Sequence, residues 1–115
     1  MTPLLRHPGV FVTGTDTEVG KTLVSVGLTD LAVAAGRRTA VMKPVAAGCE
    51  DTPGGPRNDD ALTLIASSNV SVDYVSVNPY ALRPPIAPHL AARQAGTTIE
   101  PEILDAAFRH LRGKS

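Results

Sequence analysis

Aromatic residues are scarce: two Phe, two Tyr and no Trp in 115 residues. A surface that stacks nucleic-acid bases needs more aromatic faces than that. Excess charge is absent too. Eleven Lys and Arg are matched by eleven Asp and Glu, so the formal net charge is zero. Without a basic balance, a nucleic-acid or anionic-membrane partner has no electrostatic support. Cys49 stands alone. It excludes an internal disulfide, lacks metal-ligand company and suits a reducing compartment. No apolar run approaches the ~20 residues of a membrane span. Met1 to Pro8 is too short, and too broken by Pro3 and Pro8, for a secretory signal. The expectation is a cytoplasmic protein with neither nucleic acid nor membrane as partner.

What is present supports a packed core. Hydrophobic residues make up 43% of the chain. A chain of this size buries roughly 65% of its unfolded surface. The length allows one domain at most, or part of one.

The most informative stretch is Val10-Phe11-Val12-Thr13-Gly14-Thr15-Asp16-Thr17-Glu18-Val19-Gly20-Lys21-Thr22. It reads as a buried strand, a turn and the start of a helix. A phosphate-binding loop needs that order, because backbone N–H groups of the turn and the helix N-terminus then converge on the anion. Gly14 and Gly20 let the backbone approach without a Cβ in the way. Lys21 supplies a point charge for the terminal phosphates, and the Thr22 hydroxyl is suited to Mg²⁺. The usual motif has four residues between its glycines; here there are five. The competing reading is an ordinary glycine-rich strand-to-helix turn. The apolar strand before and the helix after favour the phosphate loop.

The helix is expected from about Gly20 to Ala35. Val24, Leu28, Leu31, Ala32 and Ala35 recur on one apolar face, and Gly36 is a natural stop. Thr39 to Lys43 is expected as a second strand ended by Pro44. Strand, helix and strand form a right-handed crossover that joins parallel strands. Ligands bind beyond the carboxyl ends of such strands. Lys43 is therefore expected beside the phosphate loop; the alternative is a solvated strand-end lysine.

Residues 44–57 read as a long Gly- and Pro-rich loop. Asn58 reads as a helix N-cap, with Asp59 and Asp60 in the first turn. Either carboxylate could reach a metal near Thr22, or both could simply complement the helix dipole. Asp73 to Val77 reads as a short extended piece. A short helix is expected from Pro88 to Gly96, with His89 in its first turn and no partner there for acid–base work. The last helix starts near Pro101, with Ile103, Leu104, Ala107, Phe108 and Leu111 on one face.

Only two strands are convincing. A nucleotide site on this architecture usually takes a second acid from a later strand, and none follows. The expectation is an α/β fold with a P-loop NTPase-like parallel sheet flanked by helices. Residues 1–115 would be the N-terminal part of one P-loop α/β domain, continued in a longer enzyme or completed by a partner.

Beyond this, residues 12–22 closely resemble the phosphate loop of dethiobiotin synthetases. Lys43-Pro44-Val45-Ala46, Thr52-Pro53, Arg57-Asn58, Asp60-Ala61-Leu62, Val77-Asn78-Pro79-Tyr80 and Pro88-His89 resemble the same family in the same order. The resemblance implies a ligase of biotin biosynthesis that is a homodimer at full length. CO₂ adds to an amine of 7,8-diaminopelargonic acid, ATP phosphorylates the carbamate, and the second amine closes the ring. It also implies roles. Glu18, Val19, Gly20, Lys21, Thr22 and Leu23 would line the ATP phosphates. Thr22 and Asp60 would hold Mg²⁺, which raises Asp60 above Asp59. Lys43 would be the active-site lysine, and Thr17 would face the diamine or carbamate. The family commonly has a small hydroxyl residue where this chain has Ala47, so one side-chain contact to substrate is lost. Three alternatives have weaker support. A cobyrinic acid amidating-type synthetase shares a similar loop. A partitioning-type ATPase carries an extra lysine where Thr15 and Asp16 stand. A non-catalytic fragment would act only through association.

Overall fold

Gly20 turns the chain into its first helix. In the structure, a computed structural model, Gly9, Val10, Val12 and residues 20–115 are described. Helix α1 spans Lys21–Ala34. It ends where Gly36 adopts φ 81°. There the Gly36 N–H bonds the Val33 carbonyl and the Arg37 N–H bonds the Ala32 carbonyl, at 3.0 and 3.1 Å. That pair of bonds is the Schellman closure, and glycine is the residue that takes the left-handed position without strain.

The buried face of α1 differs from the one expected. Thr29 and Ala32 are buried, with Val26 packed against the core. Val24 and Leu31 are exposed. Apolar spacing alone could not see this, because a threonine lies at the centre of the buried side. Thr29 is accommodated because its hydroxyl donates to the Ser25 carbonyl at 2.7 Å, one turn back.

Residues 39–43, expected as a strand, form no ladder among the described residues. Their backbone groups are bonded otherwise. Thr39 N–H donates to Asn69 Oδ1 at 2.7 Å, and Lys43 N–H donates to the Val77 carbonyl at 2.8 Å. A side chain and a helix end take the bonds a strand partner would offer. The segment is still interior, since Val41 belongs to the main core. Val10 and Val12 also belong to no strand; the rest of that expected strand lies outside the described residues.

The parallel pairing begins just after Pro44. Strand β1, Val45–Ala46, pairs with a later strand at Tyr80–Ala81. Between them, the expected loop contains a hairpin: β2, Glu50–Thr52, runs antiparallel to β3, Gly55–Arg57. Pro53-Gly54 makes the turn. Thr52 Oγ1 donates to the Gly55 carbonyl and accepts from the Gly54 N–H, at 2.7 and 3.2 Å. Gly55, at φ 105°, needs its missing side chain.

Helix α2, Asp59–Ser67, packs on α1. Residues 74–77, expected to be extended, form the one-turn helix α3, Tyr74–Val77. Strand β4 is Tyr80–Ala81, α4 is Pro88–Gln94, and α5 is Pro101–Lys114. Both later helices carry Pro at their start, as read from the sequence. Helix α5 packs on α3 and buries Leu111, while Ile103 and Phe108 of its expected face stay exposed.

Two clusters hold these pieces together. Val41, Ala61, Leu64, Val77 and Leu111 form the first. Leu82, Ala91 and Ala92 form the second, with Val45, Ala47 and Ile99 against it. No helix among the described residues is long and apolar enough to cross a membrane.

Candidate functional site

The two helices that carry expected site residues have opposite N-termini. Helix α2 is closed. Asn58 Oδ1 accepts from the Ala61 N–H at 3.0 Å, and Asp59 and Asp60 occupy the first turn. Helix α1 is open. Gly20, at φ 80°, precedes it; no side chain caps it among the described residues, and its first turn holds no acid. The first-turn N–H groups of α1, belonging to Lys21, Thr22 and Leu23, have no acceptor among the described residues. A helix start of that kind favours an anion through both hydrogen bonds and dipole. Lys21 and Thr22 are half-buried there, and Leu23 is exposed.

Lys43 is tied to the opposite part of the site through its backbone. Its carbonyl accepts from Asn78 Nδ2 at 2.8 Å. The same amide also donates to the Tyr80 carbonyl at 3.2 Å. Asn78 Oδ1 in turn accepts from the Tyr74 hydroxyl at 2.8 Å. That hydroxyl accepts from the Asn58 N–H at 2.7 Å. So an unbroken run of bonds leads from Lys43 to the cap of the helix that bears Asp60. Asn78 is 2% exposed and fully bonded, which is the condition for burying an amide at low cost.

Burial pushes the Tyr74 phenol above its ordinary pKa; the Asn58 N–H and the Arg57 charge oppose this, and Cys49 adds to it. A protonated phenol is what the relay needs, since it must donate to Asn78. Arg57 lies over the Tyr74 ring at 5.1 Å, a cation–π distance. Its Nε is buried without an acceptor among the described residues. Nearby, burial likewise raises the Cys49 thiol, opposed by the Leu82 backbone and by the charges of Lys43 and Arg83.

Among the described residues no ion pair joins Lys21, Lys43, Asp59 or Asp60. Both aspartates are exposed, so their surroundings do not choose between them. Thr17, Glu18 and Val19 lie outside the described residues. Ala47 has its carbonyl within 3.5 Å of Asn58 Nδ2. An open groove of about 530 Å³ is lined by Arg57, Tyr74, Asn78 and neighbours; none of the expected site residues among the described ones lines it.

Sequence reasoning missed Tyr74 and Asn78. Residues 73–77 read as extended, and extended backbone would keep the Tyr74 and Asn78 side chains too far apart to meet. One signal was available: a Tyr and an Asn four residues apart, the helical spacing that lets side chains meet.

Comparison with known proteins agrees with this architecture. A family model described as AAA domain matches residues 8–111. The ATP-dependent dethiobiotin synthetase BioD of Xanthomonas axonopodis pv. citri (strain 306) is 51% identical over 108 residues, covering 94% of this chain and 48% of that protein. The Pseudomonas aeruginosa (strain LESB58) protein of the same name is 51% identical over 104 residues, covering 90% and 46%. ATP-dependent dethiobiotin synthetase BioD 1 of Escherichia coli O157:H7 is 52% identical over 101 residues, covering 88% and 45%. The chain thus spans about half the length of the curated relatives it matches. With its parallel pairing, flanking helices and phosphate-loop sequence, the chain is an α/β P-loop protein and belongs to the AAA domain family.

Proposed function

We propose that this chain works in an ATP-dependent dethiobiotin synthase, as part of a single P-loop α/β domain. The observation that carries the reading is the N-terminus of α1, acid-free in its first turn and without a side-chain cap among the described residues, with Lys21 and Thr22 in that turn. It suits the terminal phosphates of ATP, and it occurs in a chain about half identical to proteins named dethiobiotin synthetases.

The chemistry follows from the charges. An amine of 7,8-diaminopelargonic acid adds to CO₂ and becomes a carbamate. Its oxygen is a poor leaving group. Transfer of the terminal phosphoryl group of ATP to that oxygen makes it a good one. The second amine then attacks the carbonyl carbon, closes the ureido ring and releases phosphate. Negative charge gathers at each stage, so oriented N–H groups and cations lower the barriers. Lys21 and the first-turn N–H groups of α1 hold the phosphates, with Glu18, Val19, Gly20 and Leu23 completing the lining. Lys43 steadies the carbamate and the group in transfer. Thr17 is assigned to the diamine or carbamate.

The protein donors suit Mg²⁺. Thr22 offers a hydroxyl and Asp60 a carboxylate, from first turns of two helices that pack together. Mg²⁺ typically takes one or two such ligands with phosphate oxygens and water. When bound, it neutralises phosphate charge. A cytoplasmic setting and a homodimer at full length belong to the same proposal and rest on the family resemblance.

The test is a product assay. The purified protein receives the diamine, carbon-13 bicarbonate and MgATP, and dethiobiotin is sought by mass spectrometry. Labelled dethiobiotin is the expected result. A folded, ATP-binding protein that makes none would contradict the reading.

A further inference from the structure

Asn78 is the most confined polar side chain of the site. Its amide spans two carbonyls, Lys43 and Tyr80, while its oxygen takes the Tyr74 hydroxyl proton. The Tyr74 hydroxyl has one role in each direction, accepting from Asn58 and donating to Asn78. Asn58 spends its own side chain on capping α2. Two of these bonds join segments distant in sequence: Asn78 to the Lys43 carbonyl and the Asn58 N–H to the Tyr74 hydroxyl. Lys43 leaves residues 39–43, Asn78 follows α3, and Asn58 precedes α2.

We propose that Asn78 and Tyr74 are positioning residues that set Lys43 against the N-terminus of the helix bearing Asp60. This rests on the reading in which Lys43 and Asp60 serve the same reaction. Neither Asn78 nor Tyr74 touches the reacting groups; both act through the Lys43 backbone and the α2 cap. A lysine steadying a carbamate and a carboxylate holding a phosphate-bound cation must keep a fixed separation. Small misplacements of reacting groups are costly in rate. A strand partner would hold Lys43 along one edge only. The buried amide holds it from the side that also carries α2.

Tyr80 supplies the control. Its hydroxyl is also bonded to a backbone N–H, that of Glu100, at 2.9 Å, but does not reach Lys43. Tyr80→Phe and Tyr74→Phe therefore remove comparable hydroxyls with different connections. Acylation of Lys43 by a water-soluble N-hydroxysuccinimide ester is measured relative to Lys114 in the same molecules, by peptide mass spectrometry. Variants are compared where circular dichroism shows them equally folded.

Tyr74→Phe should change the Lys43-to-Lys114 ratio by about fivefold, the size of one neutral hydrogen bond. Asn78→Asp, which keeps the oxygen but loses both amide donors, should change it more. Tyr80→Phe should leave it as in the parent. An unchanged ratio in Tyr74→Phe, or an equal change in Tyr80→Phe, would overturn the positioning role. In the product assay, Tyr74→Phe should lower kcat with little effect on KM for ATP. A parent that makes no dethiobiotin refutes the assigned reaction, and the acylation ratio then decides the positioning role alone.

Discussion

Asn78 Nδ2 donates to the Lys43 carbonyl at 2.8 Å, across 35 residues of sequence. The bond helps fix the end of residues 39–43, which form no ladder among the described residues. It also makes the Lys43 backbone part of a polar network.

Lys43→Ala should lower kcat by about 10²–10³, the usual cost of removing a charge-stabilising donor. ATP binding should change little, because the proposed phosphate site lies at α1, not at Lys43. Nucleotide affinity by calorimetry and turnover by product assay separate the two. Turnover equal to the parent would remove Lys43 from the chemistry.

Asp60→Asn should raise the Mg²⁺ concentration needed for half-maximal rate; Asp59→Asn should not. Both acids lie exposed in the first turn of α2. Removing either should therefore cost similar helix-dipole stability, about 0.3–1 kcal/mol. Equal stability with unequal metal dependence is the expected pattern. Equal metal dependence would undo the choice of Asp60.

Asn58→Ala should destabilise the protein by ~1 kcal/mol through the lost cap. For a domain near this size that is roughly 4–8 °C in Tm. The loss should be visible in thermal unfolding. Asn58→Asp keeps the acceptor for the Ala61 N–H and should recover most of it.

Alkaline pH should destabilise the fold in two steps. The Cys49 thiol has a folded pKa raised from the ordinary 9.0, and the Tyr74 phenol one raised from 10.0, both first through burial. A raised acid favours the folded state while protonated. Its contribution is complete below the unfolded pKa and is lost as pH rises through the folded value. Denaturant midpoints should therefore fall above pH 9, and further above pH 10. Cys49→Ala should flatten the first fall and Tyr74→Phe the second. Tyr74 absorbance should also titrate later than that of free tyrosine.

The parts legible in the sequence are those with local causes. Asn58 caps α2 because an Asn oxygen reaches an N–H three residues on. Gly36 ends α1 because the left-handed position there suits glycine. Pro88 and Pro101 open α4 and α5 for the same kind of reason. The illegible parts depend on distant partners. Residues 39–43 look like a strand because their apolar character suits the core, yet Asn69 and Val77 accept from the Thr39 and Lys43 N–H groups and Asn78 donates to the Lys43 carbonyl. The hairpin at residues 50–57 was hidden by Gly and Pro that read equally well as loop. Thr29 faces the core because Ser25 satisfies its hydroxyl. Strand order led only to the expectation that Lys43 lies beside the phosphate loop, while the Tyr74–Asn78 bonds that hold its backbone depend on three-dimensional contacts.

The most direct measurement follows oxygen from CO₂. The proposed chemistry phosphorylates a carbamate oxygen, and ring closure then breaks the carbon–oxygen bond. An oxygen atom that entered with CO₂ must therefore leave in phosphate. The protein is given MgATP, 7,8-diaminopelargonic acid and freshly dissolved CO₂ carrying oxygen-18. Phosphate is then analysed by mass spectrometry over the first turnovers. One oxygen-18 atom in phosphate for each dethiobiotin formed is the predicted result. Dethiobiotin accompanied by unlabelled phosphate, or phosphate release with no dethiobiotin, would contradict it.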